Sequence, residues 1–217
     1  MIQVYSIPTS LYCAKLRIVL RHKGLPFEEL PPPGGYGTAK YRELVPSGNL
    51  PALLDGNLMI ADSEAAAEYL EELQPDPPML PDTPAARAKA REWSRFHDTR
   101  LEPQLRALFG QVGAASPDRT LISKQSKALI ERMSQMARMA PGRDALGYQQ
   151  LMLGDCGYPI TFAWMEALDE PLGLNLVWPQ AVTQYRQEIS QNPTVAAELK
   201  SYREALGAWL SSKAPSR

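Results

Sequence analysis

The sequence predicts an α/β domain followed by an all-helical domain. Strand and helix patterns alternate through residues 1–75, whereas apolar residues recur at helical spacing through residues 85–217. Residues 76–84 separate the two regions and are rich in proline, which lacks the N–H that helices and sheets need. We therefore predict two domains joined by a stiff proline-rich linker.

Composition and charge are those of an ordinary globular protein and argue against several partners. Of the 217 residues, 44% are apolar and 22% are charged, and the formal net charge at pH 7 is −1. This balance gives no global electrostatic reason to expect nucleic acid or an anionic membrane as a partner. The sequence has no apolar run of membrane-spanning length and no secretory signal core, so no membrane association is expected.

Cysteine usage predicts a reducing compartment. Cys13 and Cys156 are the two cysteines, and their wide separation supports neither a disulfide framework nor a metal-ligand cluster. We therefore expect a cytoplasmic protein without a bound metal.

The first part of the α/β domain shows the pattern of a strand, a helix and a second strand. Ile2–Ser6 is a short β-competent stretch, and apolar residues within Tyr12–Lys23 recur at helical spacing. Gly24 follows where a left-handed helix cap belongs. Pro26–Leu30 alternates like a strand, and the proline- and glycine-rich segment after it has room for one short helix, over Ala39–Leu44.

The second part predicts a β-hairpin and a helix. Leu50–Leu54 and Asn57–Ile60 flank Asp55-Gly56, a dipeptide typical of tight hairpin turns. A helix is expected from Ser63 to about Gln74. The domain then contains four strands in the order β-α-β-α-β-β-α.

The second domain carries helical periodicity throughout its length. Apolar residues from Trp93 to Leu108 predict one long helix with a kink at Pro103. Val195, Leu199, Tyr202, Leu206 and Trp209 step by four or three residues, which indicates an amphipathic helix. Further helices are expected over 122–136, 159–168 and 181–190.

Four local segments occur in an informative order. They are the strand-loop-helix of residues 5–17 with its continuation over 23–28, residues 46–53, residues 61–70, and Gly154-Asp155 ahead of residues 160–163. With this set the chain resembles the cytosolic glutathione transferase family, as a divergent branch near its serine-type zeta, tau and theta-like classes. The resemblance spans most of the chain. It implies a thioredoxin-like N-terminal domain with a mixed four-stranded sheet, an all-α C-terminal domain, and glutathione as co-substrate.

Ser10 is the residue that the resemblance assigns to thiol activation. An alkyl thiol has a pKa near 8.5, so lowering that pKa to about 6.5 needs roughly 2.7 kcal/mol of extra stabilisation of the thiolate. A hydroxyl hydrogen bond and the positive end of a helix can together supply this. A serine before a helix is also an ordinary N-cap, and Tyr5, Thr9 and Tyr12 stay open as alternative activators. Cys13 is expected to be a small buried residue rather than a nucleophile.

The resemblance also implies where the glutathione backbone binds. Pro51 corresponds to the family's cis-proline, and Leu50 before it is expected to offer its N–H and C=O to the cysteinyl residue of glutathione, like an added strand. Asp62 and Ser63 open a helix whose first N–H groups lack internal partners, which is a natural anion site. The acid is expected to bind the γ-glutamyl ammonium, and the serine with the helix N-terminus to bind the carboxylate. A serine followed by an acidic residue would also cap any helix.

Two positions depart from the family pattern. Asn49 stands where the family often has a longer Lys or Gln that reaches the glycyl end of glutathione, and Lys40 is a candidate to replace that contact. In the second domain, Cys156 and Pro159 occupy the places of the usual Ser/Thr cap and Asp. We expect Asp155 to cap this helix instead, since proline is tolerated in a first turn.

An electrophile pocket is expected between the domains. Its candidate residues are Tyr12, Trp93, Phe96, His97 and Arg100, although Trp93 and Phe96 at helical spacing are also typical of a plain core. His97 and Arg100 lie on neighbouring turns, where they could contact an anionic substrate or form part of a solvated face.

The predicted function is transfer of the glutathione thiolate to small, mostly hydrophobic electrophiles. Glutathione-dependent isomerisation and reductive or dehalogenating chemistry stay open, as does a glutathione-binding or stress-regulatory module without turnover. The resemblance further implies a homodimer.

Overall fold

The computed structural model describes residues 1–139 and 150–213. Its Cα positions divide the chain into two compact units, Met1–Leu80 and Pro81–Arg217. This division lies within the proline-rich segment 76–84. The predicted helical domain, 85–217, includes two stretches outside the described residues.

The first unit is a four-stranded mixed sheet with three helices, and the predicted fold class is confirmed. The sheet order is β2-β1-β3-β4, with β1 parallel to β2 and antiparallel to β3, and β3 antiparallel to β4. The elements are β1 Ile2–Tyr5, α1 Leu11–His22, β2 Phe27–Leu30, α2 Ala39–Leu44, β3 Ala52–Asp55, β4 Leu58–Ile60 and α3 Ser63–Leu73.

Local signals in the sequence set most of these boundaries. Gly24 has φ +65°, as expected of a left-handed cap, and the Leu25 N–H donates back to the Leu20 carbonyl at 3.0 Å. Gly56, at φ +56°, occupies the hairpin turn between β3 and β4. The third strand begins two residues later than predicted, at Ala52, because Leu50 and Pro51 precede the ladder that pairs Tyr5 with Ala52.

The second unit is helical. Beside two short 3₁₀ turns, Phe109–Gln111 and Leu153–Asp155, its helices are α4 Pro84–Phe96, α5 Glu102–Arg106, α6 Arg119–Met139, α7 Tyr158–Leu172, α8 Gln180–Gln191 and α9 Pro193–Lys213. As predicted, helical residues run without a gap past Pro103, from Pro84 to Arg106, and the irregularity near the proline is a π-helical turn, His97–Leu101, that separates α4 from α5. Pro103 has no N–H for the Thr99 carbonyl and its ring crowds that carbonyl, so the chain widens over this turn.

Aromatic rings fill the interior of the helical unit. Trp93 stacks on Tyr158 with ring centroids 4.7 Å apart, and the Tyr158 hydroxyl donates to the Trp93 carbonyl at 2.9 Å. Trp164 donates its indole N–H to Tyr202 at 2.5 Å. Among the described residues, no helix is long and apolar enough to cross a membrane.

Asp155 does not cap the helix that follows it, so that prediction is wrong. Its carboxylate accepts hydrogen bonds from the Met152 N–H at 3.0 Å and the Tyr185 hydroxyl at 2.8 Å. The helix α7 begins at Tyr158, with Gly157 at the N-cap and no side-chain cap, and Pro159 lies in its first turn. The buried carboxylate therefore ties the preceding turn to α8.

Candidate functional site

Three predicted glutathione-binding segments lie at one end of the sheet. Tyr5, the last residue of β1, pairs with Ala52 at the start of β3, and Ile60 at the end of β4 pairs with Leu53. The loop leading to Ser10, the Leu50-Pro51 peptide and the Asp62-Ser63 corner therefore leave or enter the sheet on the same side. The sheet register alone brings these segments to one end.

Side-chain packing confirms that the segments are neighbours. A buried cluster joins Cys13 from α1, Tyr41 and Val45 from the α2 region, and Leu50 and Ala52 from the start of β3. Tyr5, Ile7, Met59 and Ala61 pack against this cluster. The residues flanking each predicted contact thus share one small core, which supports all three segments from behind.

Ser10 is the N-cap of α1. Its backbone is extended, and its Oγ accepts a hydrogen bond from the Cys13 N–H at 3.3 Å. A hydroxyl that accepts in this way still has its own hydrogen to donate. The ordinary capping role is therefore established, and the same hydroxyl remains chemically able to donate to a thiolate at the positive end of the helix.

The alternatives to Ser10 differ in exposure. Cys13 is fully buried, and this burial raises the pKa of its thiol, partly opposed by hydrogen bonds from Ser10 and Ser6. It is a neutral core thiol, as predicted. Tyr5 packs edge-on against Tyr41 with ring centroids 5.8 Å apart, whereas Thr9 and Tyr12 are half-buried.

The loop before Ser10 is held by a buried arginine. The Arg17 guanidinium donates to the Ser6 hydroxyl at 3.1 Å and to the Pro8 carbonyl at 3.4 Å, and it pairs with Glu29 at 3.0 Å. These bonds fix both ends of the short loop between β1 and the helix cap.

The Leu50–Pro51 peptide bond is cis, as predicted. Leu50 and Pro51 are buried, and the Tyr41 hydroxyl donates to the preceding Asn49 carbonyl at 2.9 Å. Within the part of the chain that the structure describes, the Leu50 N–H and C=O make no hydrogen bond. A main-chain donor and acceptor at the start of a strand suit an added peptide strand.

At the start of α3 the acid, and not the serine, is the cap. Asp62 Oδ1 accepts hydrogen bonds from the Glu64 and Ala65 N–H groups, both at 2.9 Å, and Ser63 is the first helical residue. The alternative that Ser63 caps the helix is therefore wrong, because Asp62 already takes that position. Asp62 is exposed, and the Ser63 hydroxyl has no partner among the described residues.

The glycyl end of the predicted site contains a residue that the sequence analysis missed. Asn49 and Lys40 are exposed, and Asn49 makes a backbone bond to the Ser47 hydroxyl at 3.2 Å. Arg42, on α2, lies against Gly48: a Cβ built there would be 2.9 Å from Arg42 Nε. Gly48 also has φ +68°, so the chain needs glycine here for both conformation and space. No sequence pattern distinguished Arg42 from other exposed cations.

Two buried lysine–glutamate pairs connect α1 with α3, and no sequence pattern indicated either. Lys15 Nζ lies 2.6 Å from Glu64 Oε2, with the two side chains 1% and 13% exposed. Lys23, whose side chain is fully buried, pairs with Glu71 and donates to the Pro77 carbonyl at 2.7 Å. The pairs run 15 with 64 and 23 with 71, so the two helices point the same way and both N-termini lie at one end.

The predicted electrophile-pocket residues are diverse in environment. Tyr12 and Phe96 are half-buried and Arg100 is exposed. His97 is buried. Its Nε2 lies 2.7 Å from Thr161 Oγ1, and its Nδ1 lies 2.7 Å from Asp98 Oδ1. These bonds account for His97 as an interior residue of the helical unit. The pocket assignment stays a prediction.

Within residues 1–139 and 150–213, no three His, Cys, Asp or Glu side chains lie close enough together to hold a metal ion.

Comparison with known proteins relates the first unit to one family. Residues 4–78 match the family described as glutathione S-transferase, N-terminal domain. Over 88 residues the chain is 39% identical to a stringent starvation protein A homolog of Pasteurella multocida, covering 41% of this chain and 42% of that protein.

Two further comparisons extend over nearly the whole chain. A probable glutathione S-transferase GSTU6 of Oryza sativa subsp. japonica is 25% identical over 240 residues, covering 98% of this chain and 97% of that protein. The crystal structure of glutathione transferase F2 from Populus trichocarpa is 18% identical, with a TM-score of 0.77 over 94% of this chain and 100% of that one. The structural match shows a shared fold.

Proposed function

We propose that this chain is a glutathione transferase of the cytosolic family, that it binds glutathione across the N-termini of α1 and α3, and that it transfers the glutathione thiolate to small electrophiles. The observation that carries the proposal is the arrangement of Ser10, Leu50-Pro51 and Asp62-Ser63 at one end of the sheet, over a shared core. Glutathione is long enough to need several such contacts, and each segment offers a different chemistry.

Each end of the tripeptide has matching groups. The exposed Asp62 carboxylate suits the γ-glutamyl ammonium, and the Ser63 N–H and hydroxyl, which have no partner among the described residues, suit its carboxylate. The Leu50 main chain suits the cysteinyl residue. Lys40 and Arg42 are the cations, beside Asn49, that suit the glycyl carboxylate.

Ser10 then performs the chemical step. Its hydroxyl donates to the sulfur while its oxygen keeps accepting from the Cys13 N–H, so the α1 cap is preserved as the thiol ionises. The positive end of the helix favours the anion as well. The thiolate attacks an electrophilic carbon and forms a C–S bond. The electron pair of the broken bond leaves with the substrate's leaving group or, in addition to an activated double bond, moves away from the attacked carbon and takes a proton from solvent. Tyr12, two residues after Ser10, is the proposed neighbour of that substrate in this unit.

A second candidate function is a glutathione-binding regulatory module without turnover. It is favoured by the 39% identity to a protein named for stringent starvation, and by the short Asn49 at the glycyl end. The two functions differ in whether bound glutathione becomes a thiolate at neutral pH.

Ultraviolet thiolate absorbance of the protein–glutathione mixture tests the proposal. We expect a thiolate signal at neutral pH that disappears in Ser10→Ala. Binding without a thiolate signal would favour the regulatory module. If calorimetry detects no binding, both functions are wrong.

We further propose a cytoplasmic homodimer. Light scattering at micromolar protein should give twice the 24.1 kDa chain mass, and the monomer mass would contradict this.

A further inference from the structure

We propose that the Lys15–Glu64 ion pair is a positioning pair that holds the N-terminus of α3 at a set distance from Ser10, so that one glutathione molecule engages both helix ends. The inference rests on the proposed function. Lys15 and Glu64 do not themselves contact glutathione in this account; they act through Ser10 and the Asp62-Ser63 corner.

The location of the pair supports this role. Glu64 directly follows Ser63, and Lys15 lies five residues after Ser10, about 7.5 Å along a helix that rises 1.5 Å per residue. The 2.6 Å contact between Lys15 Nζ and Glu64 Oε2 thus joins the two helices close to their N-termini. A hydrogen-bonded ion pair is directional, so this contact constrains how the two N-termini are placed relative to each other.

Stability alone is a poor explanation for such a pair. Two buried charges lose their hydration, and apolar residues of similar volume often replace a buried ion pair without loss of stability. Lys15 lies in a stretch of α1 where its neighbours from Cys13 to Leu20 are buried. What distinguishes Lys15 is its place beside Ser10, where thiol activation has a geometric requirement, because a shift of about 1 Å at a reacting group can reduce a rate about a hundredfold.

The second pair provides a matched control. Lys23–Glu71 connects the same two helices about two turns further along, and its side chains are 0% and 11% exposed, against 1% and 13% for Lys15–Glu64. It lies away from Ser10 and Asp62. Neutralising either pair removes two buried charges from one α1–α3 contact, but only the first lies beside the proposed site.

The experiment compares two double variants, Lys15→Met/Glu64→Gln and Lys23→Met/Glu71→Gln. Removing both charges of a pair avoids an unpaired Glu64 carboxylate, which would repel the γ-glutamyl carboxylate and mimic a positioning effect. Glutathione affinity is measured by calorimetry, the pKa of the bound thiol by thiolate absorbance against pH, and stability by urea unfolding.

We expect the Lys15/Glu64 variant to bind glutathione about tenfold more weakly and to show a higher pKa of the bound thiol, while the Lys23/Glu71 variant keeps both wild-type values. Wild-type values in both variants would overturn the inference. Equal losses in both would also overturn it, since overall stability would then be the cause. Failure of the wild-type protein to bind glutathione would instead reject the proposed function.

If the Lys15/Glu64 variant does not fold, hydrogen exchange of the wild-type protein decides. γ-Glutamylglycine, which carries the amino-carboxylate end but no thiol, should slow amide exchange in residues 11–16 as well as 63–68 at saturation. Slowing confined to residues 63–68, or absent from both segments, would overturn the inference.

Discussion

Both ends of the α1–α3 helix pair carry polar side chains, but the two ends differ in whether the hydrogen bonds of those side chains are satisfied within the protein. At the C-terminal end, Glu71 accepts from the Met79 and Leu80 N–H groups, and Lys23 donates to the Pro75 and Pro77 carbonyls. At the N-terminal end, the Ser10 hydroxyl keeps a hydrogen to donate and the Ser63 hydroxyl has no partner among the described residues. Polar groups satisfied internally maintain the fold, whereas groups with hydrogen-bonding capacity left suit a ligand.

The largest loss of stability is expected from breaking the Lys23–Glu71 ion pair at the C-terminal end of the helix pair. Lys23→Met leaves the Glu71 carboxylate buried without its cation, so we expect the free energy of unfolding to fall by about 3–5 kcal/mol. The measurement is urea denaturation followed by circular dichroism. Glutathione affinity, measured where the variant is still folded, should equal that of the wild type. A large loss of affinity would show that the two ends are not separate in function.

The next effect in size is expected from removing the Ser10 hydroxyl at the N-terminal end of the helix pair. Ser10→Ala removes the proposed donor to the sulfur, so kcat should fall about a hundredfold, equivalent to roughly 2.7 kcal/mol. The lost cap should cost about 1 kcal/mol of unfolding free energy.

Thr83→Ala is the matched control for the cap. Thr83 Oγ1 caps α4 through the Ala86 N–H at 3.2 Å, in the other unit. This variant should lose similar stability and keep wild-type kcat. A fall of kcat in both variants would mean that stability, and not the Ser10 hydroxyl, controls turnover.

A smaller effect separates capping from ligand binding at α3. Asp62→Asn keeps an oxygen that caps as well as aspartate but removes the negative charge. We expect glutathione affinity to fall about tenfold, or about 1.4 kcal/mol, because the γ-glutamyl ammonium loses its charged partner. The melting temperature should be unchanged. Calorimetry giving wild-type affinity would show that Asp62 is a cap and nothing more.

The smallest effect concerns the thiol behind Ser10. Burial raises the pKa of Cys13, so above about pH 8.5 the unfolded chain ionises this thiol while the folded chain retains its proton. The folded state then binds more protons, and stability falls as pH rises. Urea unfolding of the wild type should lose more stability than that of Cys13→Ala between about pH 7 and about pH 10. Equal losses would show that Cys13 ionises normally in the folded protein.

Whether a feature of the fold or site could be predicted from the sequence depends on how far apart in sequence its interacting residues lie. Asp55-Gly56 indicates a turn and Gly24 indicates a helix cap, because of their own backbone preferences, and both predictions are confirmed. Ser10 as a cap is equally local. Pro103 also indicated an irregularity in the helix. That the irregularity is a π-helical turn ahead of the proline depends on the surrounding packing.

The ion pairs between α1 and α3 could not be predicted. Lys15 and Glu64 are 49 residues apart, and each has the appearance of an ordinary exposed charge on an amphipathic helix. Their burial follows from the way in which two helices that are distant in sequence pack against each other. The sequence could not show that Asp62 rather than Ser63 caps α3, because Asp and Ser are equally good caps and stand side by side.

A crystal structure of the protein with glutathione would show whether the tripeptide binds across the N-termini of α1 and α3. We expect the sulfur within hydrogen-bond distance of Ser10 Oγ, the γ-glutamyl carboxylate at the N-terminus of α3 beside Ser63, and the cysteinyl main chain bonded to Leu50. Glutathione bound with its sulfur against another hydroxyl, or away from the N-terminal ends of these two helices, would contradict the account.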